Sequence, residues 1–246
     1  MRLAIISDIH EDFDSLRKIL QKAEKKGFDQ LICLGDVSGF SLPYYTYRKR
    51  RNAAASLALI RQKCDLIIPG NHDMHAAQRL PQHSDIFHFP ENWYELPPQK
   101  QAELSGGAIW LHDDELATNY GKDDLDFLLA IPEFVILETP EFNILLSHYA
   151  FPNLSGFKKG FYSREKEFKS HFDFMQEHKC SLSFTGHAHP RGFYMVQPDR
   201  FKQYRYKGMK MSSFPTMVGI PPVTRHKHRR GFCIFDTDSK MLRIYR

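Results

Sequence analysis

Five short apolar runs in this chain end in the same kind of polar punctuation, and that repetition constrains the fold more than any other feature. "RLAIIS" runs into Asp8-Ile9-His10, "QLICLG" into Asp36, and "DLIIP" into Gly70-Asn71-His72-Asp73. "FNILLS" ends at His148, and "LSFTG" at His187-Ala188-His189. Leucine- and isoleucine-rich runs of this length read as buried strands. Helical patterns lie between several of them, at Phe13 to Lys26, Ala53 to Gln62 and Ser163 to His178. Alternating strand and helix predicts an α/β domain, in which functional groups gather beyond the carboxyl ends of the strands. All five polar endings fall there, so the economical reading is one shared site.

The last third has a different texture. "GFYMVQ", "KQYRY", "TMVGI" and the pair "GFCIFD" and "MLRIYR" predict antiparallel strands with a closing hairpin, forming a second sheet packed on the first. "GKDDLDFLLAIP" predicts a short helix ended by Pro132, with Asp123 or its acidic neighbours at the positive N-terminus. Residues 81–120 otherwise give no clear element pattern. No repeat, low-complexity tract or linker divides the chain, and 246 residues with 42% hydrophobic content suffice for a large core. One domain over 1–246 is expected.

Cys33, Cys64, Cys180 and Cys233 are widely spaced without a CxxC pair, which fits a reducing compartment better than a disulfide framework. No apolar span reaches 18 residues and the N-terminus enters a strand directly, so a cytoplasmic protein is expected. The net charge of +5 is compatible with a phosphate-bearing partner and with an ordinary soluble enzyme alike.

The polar endings carry chemistry as a set. If the segments are extended, Asp8 and His10 share a face, as do His187 and His189. Asp36, Asn71 and His148 arrive singly. Two carboxylates, one amide and four imidazoles exceed what a single tetrahedral zinc takes and suit two ions. Mixed oxygen and nitrogen donors admit Mn²⁺, Fe, Zn²⁺ or Ni²⁺. Two divalent ions against two carboxylates leave the site cationic, which attracts phosphate, and a neutral Asn71 preserves that charge. A hydroxide bridging the metals is the expected nucleophile for in-line attack on phosphorus. His72, next to Asn71, is the expected proton donor to the leaving oxygen, with Asp73 as the acceptor that orients its ring.

Asp8-Ile9-His10, Gly35-Asp36 with Gly39, Gly70-Asn71-His72-Asp73, Ser147-His148 and Gly186-His187-Ala188-His189, in this order, resemble the five signature blocks of the calcineurin-like metallophosphoesterase superfamily. "GDVSGF" and "GNHD" are more similar to the small bacterial and archaeal phosphodiesterases than to the Ser/Thr protein phosphatases. The resemblance implies a two-sheet sandwich flanked by helices. It also implies one metal held by Asp8, His10, Asp36 and His189 and a second by Asp36, Asn71, His148 and His187, with Asp36 bridging. His72 and Asp73 keep the catalytic roles already given them.

The leading expectation is a dinuclear metal-dependent phosphodiesterase. The alternatives are a phosphomonoesterase or protein phosphatase, a non-catalytic scaffold, which the presence of His72 argues against, and a nucleic-acid-binding module. The basic and aromatic segments 44–51, 157–166 and 225–230 read as solvated faces, or as walls of a pocket for a nucleotide or nucleic acid. His75 fits none of the five blocks and reads as a surface or helix-start residue, as do His83, His88, His112, His171 and His178.

Overall fold

The computed structural model describes residues 1–84, 86–225 and 230–246. The elements in chain order are β1 (Arg2–Ile6), α1 (Phe13–Lys26), β2 (Gln30–Cys33), β3 (Phe40–Ser41), α2 (Ala53–Lys63), β4 (Leu66–Ile67), α3 (Asn71–Ala76), α4 (Pro98–Ser105), β5 (Glu115–Leu116) and α5 (Lys122–Ala130). There follow β6 (Phe134–Glu138), β7 (Asn143–Ser147), α6 (Lys169–Glu177), β8 (Cys180–Thr185), β9 (Phe193–Gln197), β10 (Arg200–Tyr204), β11 (Gly208–Lys210), β12 (Thr216–Gly219), β13 (Phe232–Asp236) and β14 (Met241–Tyr245). The α/β expectation holds, with two six-stranded sheets ordered β11-β14-β13-β1-β2-β4 and β10-β9-β12-β8-β7-β6. A two-stranded ribbon, β3 with β5, stands apart.

Burial on both faces explains why the strands read as continuous apolar runs. Leu3 and Ile5 of β1 meet Ile144, Leu146, Leu182 and Phe184 of the other sheet. Ala4 and Ile6 turn the other way, onto Leu16 and Ile19 of α1 and Leu57 and Ile60 of α2. Phe172, Phe174 and Met175 of α6 cover the far side of the second sheet at Leu145, Val196 and Met217. The result is helices, sheet, sheet, helices. α1 begins at Asp12, whose side chain accepts from Ser15 N, and ends at Gly27, while its buried residues recur at three- and four-residue spacing.

Each sheet has a parallel centre. β1 pairs in parallel with β2 and β2 with β4. β7 pairs in parallel with β8 and β8 with β12. All five polar endings therefore leave at the carboxyl ends of parallel strands, three from one sheet and two from the other.

The last third departs from expectation. Instead of forming a sheet of its own, it is divided: β11, β13 and β14 extend the first sheet, while β9, β10 and β12 extend the second. β13 pairs the open edge of β1 and is followed outward by β14 and β11, while β12 joins β8 in parallel and is followed outward by β9 and β10. The pattern at Ser163 to His178 resolves into a short 3-10 turn at Glu165–Phe168 followed by α6. Phe134–Glu138 forms β6, antiparallel to β7, although its "FVILE" was given no strand. Among the described residues no helix is long and apolar enough to cross a membrane.

Candidate metal centre

Backbone conformation brings the expected ligands together, but not through extended segments. Asp8, His10, Asp36, His187 and His189 all have φ between +46° and +63°. Left-handed backbone costs on the order of 1–2 kcal/mol for a residue with a Cβ, and it persists only where surrounding contacts fix it. Those contacts are present: Asp8 N donates to Gly35 O, and Ile9 N and His10 N both donate to Asp36 O. Five of the seven expected ligands are thus bent toward one point, and the pairing of Asp8 with His10 comes from this kink rather than from strand alternation.

The convergence is tight. Asp8 Oδ1 lies 3.1 Å from His189 Nε2, and His10 Nε2 lies 3.1 Å from the same atom. Asp36 Oδ2 lies 3.0 Å from His148 Nε2 and 3.8 Å from both His10 Nε2 and His72 Nε2. Asp8, His10 and His189 form one group able to hold an ion, and Asp36, His148 and His187 another. Asn71 and His187 converge at Gly156, where an added Cβ would sit 3.0 Å from Asn71 Oδ1 and 2.6 Å from His187 Nδ1.

Two rings are aimed by backbone carbonyls. His10 Nδ1 donates to Gly39 O at 2.9 Å and His148 Nδ1 to Leu34 O at 2.6 Å, which leaves each Nε2 facing the cluster. Burial, then the neighbouring His72, pushes His10 down to about 3, so it is a neutral donor at ordinary pH. Burial also opposes charge on His148, but Asp36 outweighs it and raises the ring to about 9; a bound cation would displace that proton. The Asp36 carboxyl stays well below its ordinary range despite burial, held there by His148 and His72.

The residues present fit a pair of cations. Asp8 Oδ2, Asn71 Oδ1 and His187 Nε2 are buried with no hydrogen-bond partner. Leaving one such group unsatisfied costs roughly 1–3 kcal/mol, and these three belong to a set of two carboxylates, one amide and four imidazoles whose donors suit metal coordination.

His72 and Asp73 do not form the pair expected of them. His72 Nδ1 hydrogen-bonds Glu115 Oε1. Asp73 instead braces backbone, accepting from Ser38 N at 2.8 Å, Ser38 Oγ at 2.8 Å and Gly70 N at 3.1 Å. The reason is geometric: α3 starts at Asn71, and successive helical side chains diverge by about 100°. With His72 over the cluster, Asp73 must point back beneath it. Burial lowers His72, but Glu115 and Asp36 together outweigh it and raise the ring to about 10. Burial likewise works against the Glu115 charge, yet His72 and His112 hold that carboxyl well below its usual range.

His112, read as a surface residue, is 9% exposed and lies within the site, 2.8 Å from Glu115 Oε1 through Nδ1 and 3.3 Å from Asn71 Nδ2 through Nε2. His75 does fall in α3, but its ring packs 4.8 Å from that of His112. His171 is fully buried, not superficial, between Phe151 N and Ser183 Oγ, each 3.0 Å away.

Of the basic and aromatic segments, 44–51 is partly structural. Tyr45 and Tyr47 are buried against Phe40, and Arg51 is bound to Glu11 and to the carbonyls of Leu116 and Ala117. In 157–166, Phe157 is buried while Phe161 is 53% exposed with its ring 5.2 Å from that of His187. Of 225–230, residues 226–229 lie outside the described residues; Arg225 N donates to Asp12 Oδ2.

A stretch of 71 residues is 32% identical to the uncharacterized protein MJ0912 of Methanocaldococcus jannaschii; it covers 29% of this chain and only about a quarter, 26%, of that protein. The fold matches a metallophosphoesterase from Sphaerobacter thermophilus with a TM-score of 0.66 at 16% identity, over 100% of this chain and 88% of that one. It also matches the hypothetical protein PH1004 of Pyrococcus horikoshii OT3 with a TM-score of 0.60 at 12% identity, over 99% and 86%. The family model for calcineurin-like phosphoesterases matches residues 1–191, a span that takes in all five left-handed positions of the cluster and strands β1, β2, β4, β7 and β8, and the chain belongs to that family.

Proposed function

We propose that this phosphoric ester hydrolase is a dinuclear metal-dependent phosphodiesterase. The observation that carries the reading is the convergence of Asp8, His10, Asp36, Asn71, His148, His187 and His189, with Asp8 Oδ2, Asn71 Oδ1 and His187 Nε2 buried and unsatisfied among them and the His72 ring alongside. In this reading Asp8, His10, Asp36 and His189 hold one ion, Asp36, Asn71, His148 and His187 the other, and Asp36 is common to both. Bound divalent ions would supply an activated water near neutral pH and a positive clamp on the phosphoryl oxygens. Mn²⁺, Fe, Zn²⁺ and Ni²⁺ all suit the donor set.

The chain's own part is to place a proton. His72 Nδ1 is occupied by Glu115, and Nε2 faces Asp36 Oδ2 at 3.8 Å, so the proton on Nε2 is delivered from the edge of the cluster to the leaving oxygen. The exposed Phe161 ring beside His187 supports a substrate with a flat group, such as a nucleotide. The four cysteines are all free, which suits the cytoplasm.

The test is turnover of an aryl phosphodiester against the matching monoester, with His72→Asn as the companion variant. The expected result is preference for the aryl diester, and a loss of 10²-fold or more in His72→Asn on a diester with an alkyl leaving group, with metal content unchanged. Preference for the monoester would favour the phosphomonoesterase reading.

A further inference from the structure

We propose that His112 and Glu115 form one positioning brace that sets two things at once: the ring of the proton donor His72 and the amide of the metal ligand Asn71. The inference rests on the reading of those two residues given above. It follows from the direction of the hydrogen bonds.

An ionised carboxylate only accepts. Glu115 Oε1 meets both His72 Nδ1 and His112 Nδ1, so both Nδ1 atoms carry the hydrogen. In the neutral ring His112 Nε2 then keeps a lone pair, and the atom 3.3 Å from it is Asn71 Nδ2, which donates. Asn71 can therefore sit only one way round: its amide nitrogen faces His112 and Oδ1, buried and without a hydrogen bond, faces the metal cluster. A flipped amide would set Oδ1 against the His112 lone pair and put N–H groups where a ligand oxygen is needed. The same carboxylate leaves His72 Nε2 as the free end of the donor ring.

The brace is built into the chain around the Asp36 loop. β5 pairs with β3, with Ser41 opposite Glu115 and Phe40 opposite Leu116. Ser41 Oγ donates to Asp114 Oδ2 at 2.8 Å, and Leu42 N donates to Asp114 O at 3.2 Å. Arg51 donates to the carbonyls of Leu116 and Ala117. Glu115 is 8% and His112 4% exposed at the side chain, so water does not compete strongly for these bonds.

Three measurements test the brace. In metal-free protein with ¹⁵N-labelled histidine, His112 is expected as the Nδ1–H tautomer; an Nε2–H tautomer there would overturn the proposal. In Glu115→Gln, turnover of a diester with an alkyl leaving group should fall at least tenfold further than that of a 4-nitrophenyl diester, whose leaving group needs no proton and whose smaller loss reads the Asn71 arm alone. In His112→Ala, Mn²⁺ affinity measured calorimetrically on the apo-protein should fall by about 10- to 100-fold at one site and be unchanged at the other.

His72→Asn, run in parallel, separates the two levels of inference. If it lacks the leaving-group dependence, the proton-donor reading fails. If it has that dependence and Glu115→Gln slows both substrates equally or neither, the brace fails. Should Glu115→Gln not fold, Glu115→Asp replaces it: partial retention of alkyl-diester turnover is expected, and turnover of both diesters at the wild-type rate would count against the brace.

Discussion

His148, carried by the second sheet, donates from Nδ1 to the carbonyl oxygen of Leu34, just beyond β2 of the first, at 2.6 Å. That bond ties the two parallel centres together at the point where the expected ligands meet. It also turns His148 Nε2 onto Asp36 Oδ2.

Asp36 is the carboxylate that both ligand groups approach, since His10, His72 and His148 all lie within 3.8 Å of its Oδ2. Asp36→Asn is therefore expected to disturb both ions, giving fewer than one per chain by elemental analysis. His148→Ala should lose one ion and keep the other. An Asp36→Asn protein that still holds two would remove Asp36 from the bridging position.

Chelation should destabilise the fold, because it returns Asp8 Oδ2, Asn71 Oδ1 and His187 Nε2 to an unsatisfied state. At free metal about 100-fold above Kd, mass action is worth about 2.7 kcal/mol. For a chain of this size that corresponds to a fall in Tm of roughly 5–10 °C on adding excess chelator. An unchanged melting curve would mean that metal contributes nothing to the folded state.

The contrast between what could and could not be read in the sequence has a physical origin. Asp8 through His189 were legible because each follows an apolar run buried on both faces, and the parallel topology puts every such ending at one edge. Glu115 and His112 lie in "LHDDEL", where no period exposes them and three acids in a row resemble a solvated turn. Their only signal is the His-x-x-Glu spacing, which β5 converts into a shared carboxylate by pairing with β3. Asp73 was misread for a related reason: adjacency in sequence was taken as adjacency of side chains, and a helix beginning at Asn71 separates them. The strands of the last third were visible individually, but their division between the two sheets depends on which edges the parallel centres leave open, a tertiary property with no local signature.

Stability should carry a pH dependence from His171. Its Nδ1 accepts from Phe151 N and its Nε2 donates to Ser183 Oγ, so the neutral ring satisfies both bonds, and burial lowers the ring to about 3 from an ordinary 6.5. The folded state then binds fewer protons than the unfolded state between these values, so the stabilisation is fully present above about pH 6.5 and is lost as pH falls toward 3. Urea midpoints measured from pH 7.5 down to 4.5 should decline less steeply in His171→Gln than in the wild type. Parallel declines would show that other groups account for the whole slope.

Phe161 offers a test of substrate class. Its ring is 53% exposed beside His187, and base-on-aromatic stacking is worth roughly 1–3 kcal/mol. Phe161→Ala should raise KM about tenfold for a nucleotide diester, with kcat little altered and no change for a small dialkyl substrate. Equal effects on both substrates would point to a structural role for the loop.

Gly39 leaves space for the His72 ring. Its φ is +91°, and a Cβ there would fall on the His72 imidazole, meeting Nδ1, Cγ and Cβ of that side chain. Alanine at this position would cost about 1–2 kcal/mol for the backbone conformation alone, and its Cβ would overlap the ring that Glu115 holds. Gly39→Ala is therefore expected to retain two ions per chain while losing tenfold or more in turnover of an alkyl diester. If it kept full turnover, the ring would have to work from a position other than the one Glu115 holds.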